Sequence, residues 1–125
     1  MSLAQFMTGV QHVGIPTNDL GATIAFYESL GFRNVYRTVN QASGEAVCFL
    51  RMQNLCIEAY ENGQAALRPG AVDHIAIDVT DIDEAYRAVQ ELGCPFFGEG
   101  ISSLPFWEKG IRYFILKPNK TLWFY

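Results

Sequence analysis

VQHVGIPTNDLGATIAFYESLGF, residues 10–32, lies over VDHIAIDVTDIDEAYRAVQELGC, residues 72–94, at a constant offset of 62 and without a gap. Identities fall at Val10/Val72, His12/His74, Ile15/Ile77, Asp19/Asp81, Leu30/Leu92 and Gly31/Gly93. The chain has only 2 histidines, and they occupy equivalent positions. A repeat of this kind means that one supersecondary unit is used twice.

Each copy reads as a strand followed by a helix. Residues 10–16 and 72–79 alternate, with Val13 and Ile15, or Ile75, Ile77 and Val79, on one face. His12 and Gly14, or His74 and Ala76, share the other. The β-branched face suits packing under a helix, so the histidine face points away from it. An Asx residue opens each helix, Asn18 or Asp19 in the first copy and Asp81 in the second. Apolar residues recur at helical spacing (Leu20, Ile24, Tyr27, Leu30; Ile82, Ala85, Val89, Leu92), and Gly31 and Gly93 suit left-handed stops.

Three strands are expected after each helix. In the first half they fall near 33–40, 45–51 and 55–60, with turns at Gln41-Ala42-Ser43-Gly44 and Met52-Gln53-Asn54. In the second half they fall near 95–99, 111–116 and 121–125, with a loop over 100–110 and a last turn at Pro118-Asn119-Lys120. The expectation is a single α+β domain, 1–125, of two β-α-β-β-β modules, 8–60 and 71–125, joined by a linker over 61–70.

Composition excludes several function classes. The chain has 125 residues, half of them hydrophobic, and a net charge of −4. That is ample for a core and too apolar for disorder. A pI near 5.0 leaves no basic footprint for nucleic acid. No apolar run reaches the roughly 20 residues of a membrane span, and no secretory signal is read at the start. Cys48, Cys56 and Cys94 make an odd count without C-x-x-C spacing, which points to reduced thiols in a cytoplasmic protein.

Two symmetry-related histidines on one kind of strand face suggest a shared metal ion. They need an anionic partner, and Glu58 in LCIEAYE is the candidate, since a strand carboxylate is costly to bury unless paired or coordinated. Cys56, Glu58 and Tyr60 share one strand face. The competing reading makes His12 and His74 hydrogen-bonded core histidines and Glu58 an exposed edge-strand charge.

QHVGIPTNDL with FYESLGF, then CIEAYE, then DHIAIDVTDID, resemble the vicinal oxygen chelate superfamily, the glyoxalase/bleomycin resistance protein/dioxygenase group, over nearly the whole chain. The resemblance implies that the two modules form a cup-shaped sheet and that the protein is a homodimer. It implies metal ligands at His12, Glu58 and His74, and a divalent ion: zinc or nickel, with iron or manganese as alternatives. It implies a small-molecule substrate with vicinal oxygens, and lactoylglutathione lyase is the nearest named activity. One departure stands out. The family's fourth ligand, a Glu after a D-P-x-G turn, falls on Phe124, behind Lys117-Pro118-Asn119-Lys120. Two rival functions follow: a sequestering protein of the bleomycin-resistance type that performs no chemistry, and a dioxygenase-like iron enzyme.

Other residues carry plainer readings. Asp19 and Asp81 are helix caps. Cys48 and Cys56 are small core hydrophobes. Of the 17 aromatic residues (2 Trp, 6 Tyr, 9 Phe), nine follow Pro95, as core and interface or as an apolar ligand wall covered by Phe106 and Trp107. Arg37, Arg51 and Arg112 are candidates for meeting an acidic substrate such as a glutathione conjugate, and no spacing singles one out from ordinary solvated surface.

Overall fold

Aspartate side chains start both helices. Asp19 Oδ1 accepts from the Ala22 amide at 3.0 Å and opens α1 (Leu20–Ser29). Asp81 Oδ1 accepts from the Glu84 amide at 3.1 Å and opens α2 (Ile82–Glu91). Each bond satisfies an amide that the first turn leaves without a helical partner. Gly31 (φ +104°) and Gly93 (φ +74°) end them in the left-handed region, where a Cβ would be strained. The helices therefore keep the offset of the repeat residue for residue.

The computed structural model describes residues 2–68, 70–116 and 122–124. Met1–Ala65 and Ala66–Tyr125 form two compact units, and the boundary falls inside the expected linker. The first unit begins with a 3-10 turn at Leu3–Gln5, followed by β1 (Val13–Thr17), α1, β2 (Arg33–Val39), β3 (Ala46–Met52) and β4 (Leu55–Glu61). The second has β5 (Ile75–Ile77), α2, β6 (Phe96–Leu104), β7 (Ile111–Leu116) and β8 (Leu122–Phe124). Sheet order is β1-β4-β3-β2 in one and β5-β8-β7-β6 in the other. In each, the first strand runs parallel to the last and the other neighbours are antiparallel. The class is α+β, and both modules are β-α-β-β-β.

Alternation along β3 and β4 separates two faces. Cys48, Leu50, Ile57 and Ala59 are fully buried, and Leu20, Ile24 and Tyr27 of α1 are buried too. Large side chains such as Leu50 and Ile57 each contribute about 1.5–3 kcal/mol by leaving water. Tyr27 packs edge-on against Phe26 and Phe32, with centroids 5.1 Å apart in each pair. In the second unit Tyr86, Phe96 and Phe114 form a cluster with centroids 4.6–5.6 Å apart. The Glu61 carboxylate, at the end of β4, accepts from the Leu20 amide at 2.7 Å and ties the sheet to the start of α1.

Several elements differ from the expected ones. His12 and His74 stand one residue before β1 and β5 instead of inside them. β5 has 3 residues, fewer than the run 72–79 suggests. β6 extends to Leu104, through residues expected to be loop. Gly98 (φ +90°) and Gly100 (φ +118°) let the strand absorb a register shift between Phe97 and Ser102, where another residue would break it. The expected turn Pro118-Asn119-Lys120 and residue Tyr125 lie outside the described residues.

Candidate metal centre

Parallel pairing of β1 with β4 sets Gly14 beside Glu58. His12 precedes Gly14 by two residues, so both belong to the face away from α1. Its Nε2 lies 3.7 Å from Glu58 Oε1. The side chains are 37% and 29% exposed, so an ion from solvent reaches them. A Cβ on Gly14 would sit 3.7 Å from that same Oε1 and 3.6 Å from Tyr60 Cε1, so the missing side chain leaves the carboxylate open. Phe49, the β3 partner of Glu58, stands edge-on to the His12 ring at 5.7 Å.

The other ring nitrogen decides what Nε2 can do. His12 Nδ1 is hydrogen-bonded to Gln11 Oε1, an oxygen that only accepts, so Nδ1 carries the proton. In the neutral ring Nε2 then presents a lone pair toward a carboxylate oxygen. Two lone-pair donors facing each other are satisfied by a cation between them. Donors each about 2.1 Å from an ion stand about 3.0–3.6 Å apart at bond angles of 90–120°, which the observed pair nearly meets.

The second unit repeats the device. His74 Nδ1 donates to Asp73 Oδ2 at 3.0 Å, from the residue just before it in sequence. Such outer partners fix the tautomer and orientation of ligating histidines. Gln11 and Asp73 were missed by sequence reasoning. The signal was present: both directly precede the histidine of their repeat. Among the described residues no three His, Cys, Asp or Glu side chains gather at ligating distance. His12 and Glu58 belong to the first unit and His74 to the second.

Strand register corrects the assignment of the fourth position. Gly14 pairs with Glu58, and its counterpart Ala76 pairs with Trp123, so Trp123 and not Phe124 matches Glu58. Counting from the turn lands one residue late, because the position is fixed by pairing with β5. The chemical consequence is unchanged, since an indole offers only an N–H donor.

Other singled-out residues fall into place. Cys48 is fully buried, and desolvation holds its thiol above its ordinary pKa. Arg112 grips Asp83 through two bonds of 3.1 and 2.9 Å, linking β7 to α2. That hydrogen-bonded guanidinium holds the Asp83 carboxyl below its usual range. Arg37 pairs with Cys48, on the α1 side, and Arg51 with Cys56, on the His12 side. Trp107 is 85% exposed and borders an open groove of about 630 Å³ that also touches Asp78, Thr80 and Lys109 but not His74. Phe114 belongs to the core instead. Among the described residues no helix is long and apolar enough to cross a membrane.

The family model described as Glyoxalase/Bleomycin resistance protein/Dioxygenase superfamily matches residues 9–99, which include all three candidate ligands. The chain belongs to this superfamily. A protein of Bacillus subtilis (strain 168), Uncharacterized protein YwbC, is 29% identical over 121 residues, covering 91% of this chain and 92% of that protein. Among solved structures, a glyoxalase family protein from Enterococcus faecalis superposes with a TM-score of 0.76 at 23% identity, over 95% of this chain and 98% of that one. The fosfomycin resistance protein FosX of Listeria monocytogenes, complexed with Mn(II) and sulfate ion, gives a TM-score of 0.63 at 21% identity, over 94% of this chain and 89% of that one. These structural likenesses carry the glyoxalase/bleomycin resistance fold. Superfamily membership explains why two copies of one module recur along the chain.

Proposed function

We propose that the protein is a glyoxalase-like enzyme that depends on a divalent metal and acts on a small substrate with vicinal oxygens. His12, Glu58 and His74 would hold the ion, with zinc or nickel as the leading candidates. His74 comes from the same chain or from a second copy in a homodimer. The reading places the protein in the cytoplasm. The observation that carries it is the approach of His12 Nε2 to Glu58 Oε1 at 3.7 Å, with Nδ1 committed to Gln11. The binding of Mn(II) by FosX, a member of the same superfamily, supports a divalent ion in general.

Bound there, the ion would supply Lewis acidity toward two substrate oxygens. The chain's residues do the rest. Gln11 and Asp73 hold the two imidazoles in the Nδ1–H tautomer. Gly14 leaves room in front of Glu58. Phe49 walls the His12 ring on one side and limits water there.

Lactoylglutathione lyase chemistry needs a base beside the substrate carbonyl. Trp123 supplies none, which argues against thiol hemiacetals as the substrate and for another compound with vicinal oxygens. The absence of a carboxylate at this position also favours a second reading, sequestration of an aromatic ligand without chemistry.

Metal-free protein reloaded with zinc, nickel, manganese or anaerobic ferrous iron, and screened against thiol hemiacetals and other vicinal-oxygen compounds, tests the choice. Metal-dependent turnover that Glu58→Gln removes supports the enzyme. Stoichiometric binding of an aromatic ligand, with no turnover under any metal, overturns it in favour of sequestration.

A further inference from the structure

The His12 face of the first sheet continues past Glu58. Phe49 pairs with Glu58, and Arg51, two residues further along β3, pairs with Cys56. Alternation puts Arg51 on the same face as Phe49. On the other side of β3, Arg33 is directly opposite Arg51, and Tyr36 is opposite Phe49, with ring centroids 6.2 Å apart. This face therefore carries, in order, a candidate metal pair, an aromatic floor and two arginines.

The arginines are in an unfavourable arrangement as they stand. Like charges directly opposite on neighbouring strands repel. Both side chains are exposed, and among the described residues neither makes an ion pair. Arg87 and Arg112, by contrast, have acidic partners at 2.9 Å. An anion between two guanidinium forks would turn the repulsion into attraction, because each planar fork matches two oxygens of an oxyanion. Arg51 is opposite Cys56, two residues from Glu58, so its backbone stands about 7 Å along the strands and one strand spacing of about 4.8 Å across from Glu58, with Arg33 one spacing further, and the long arginine side chains can reach back toward Glu58. A substrate of a few carbon atoms spans that distance.

We infer that Arg33 and Arg51 clasp an anionic group of the substrate, a carboxylate or a phosphonyl or phosphoryl group, while its vicinal oxygens sit at His12 and Glu58. The placement of those oxygens rests on the functional reading above. The clasp itself rests on the arginine pair. Arg37, on the α1 side, and Arg112, held by Asp83, take no part.

Nuclear magnetic resonance of the arginine Nε–H groups in the full chain tests this, with methylphosphonate and propionate as probes at constant ionic strength. The Arg33 and Arg51 signals should shift to saturation with at least one probe, while those of Arg37 and Arg112 stay in place. The tighter probe identifies the anion. Arg33→Met and Arg51→Met should each weaken binding about tenfold or more. Neither should lower the melting temperature, because each removes a repulsion. Shifts that rise linearly without saturating, that are equal at Arg37, or that survive in Arg51→Met overturn the clasp. Metal uptake is measured on the same samples. Saturating arginine shifts without metal uptake leave the clasp standing and remove the metal reading. Metal uptake without saturation removes the clasp alone.

Discussion

His12 Nε2 stands 3.7 Å from Glu58 Oε1 because β1 and β4, distant in sequence, are parallel neighbours with Gly14 beside Glu58. The local sequence of each strand gives the face. The pairing gives the distance. A nitrogen and an oxygen, each with a lone pair to share, then face each other at half-exposed positions.

Orientation of the imidazoles depends on the residues before them. Gln11→Ala and Asp73→Ala should each weaken metal affinity about 10–100-fold, the usual cost of losing an outer partner. Isothermal titration with zinc measures this. Melting temperatures should stay nearly constant, because both hydrogen bonds lie in exposed surroundings.

Gly14 keeps the carboxylate accessible. Gly14→Ala should fold and bind metal, since an added Cβ meets only ordinary contacts of 3.6 and 3.7 Å. The second module already carries Ala76 at that point. Gly14→Leu should fill the space before Glu58 and lose metal binding at least tenfold while circular dichroism is unchanged.

The Arg112–Asp83 pair should give a small acid-sensitive contribution to stability. Asp83 has its folded pKa lowered by Arg112, so the contribution is present above the ordinary value of 3.8 and is lost as pH falls through the folded value. Asp83→Asn should therefore melt slightly below the parent at neutral pH. The gap should close as the solution is acidified below 3.8. Both groups are exposed, so the difference should also shrink in high salt.

Cys48 should react slowly with thiol reagents, more slowly than Cys94, because burial raises its pKa and covers the sulfur. Its folded pKa lies above the ordinary 9.0, so its contribution to stability is complete below that pH and is lost as pH rises beyond it. Cys48→Ala should flatten the alkaline side of the stability profile, at a cost of stability at neutral pH from the cavity.

The repeat made the helices legible to within a residue, because their ends are set by local chemistry: Asp81 and either Asn18 or Asp19 at the starts, which the structure resolves as Asp19, and Gly31 and Gly93 at the stops. The core face of β3 and β4 was equally readable, since alternation is local. Three things were not. β6 ran on to Leu104 because Gly100, which reads as a loop residue, serves with Gly98 a bulge within a strand. The match to Glu58 moved from Phe124 to Trp123 because register is a property of two strands. Arg51 could not be singled out from Arg37 until pairing put one beside Cys56 and the other beside Cys48. At the candidate centre, the common face of His12 and Glu58 was readable from alternation, whereas their 3.7 Å approach needed the β1–β4 pairing, and the roles of Gln11 and Asp73 needed side-chain directions.

The most direct test of the central claim is the metal content of purified, untagged protein by elemental analysis, for the parent chain and for His12→Ala, Glu58→Ala and His74→Ala. The parent should hold about one divalent ion per chain and all three variants should lose it, with folding retained. A parent that stays empty under excess zinc, nickel, manganese and anaerobic ferrous iron would contradict the claim, as would variants that keep the ion.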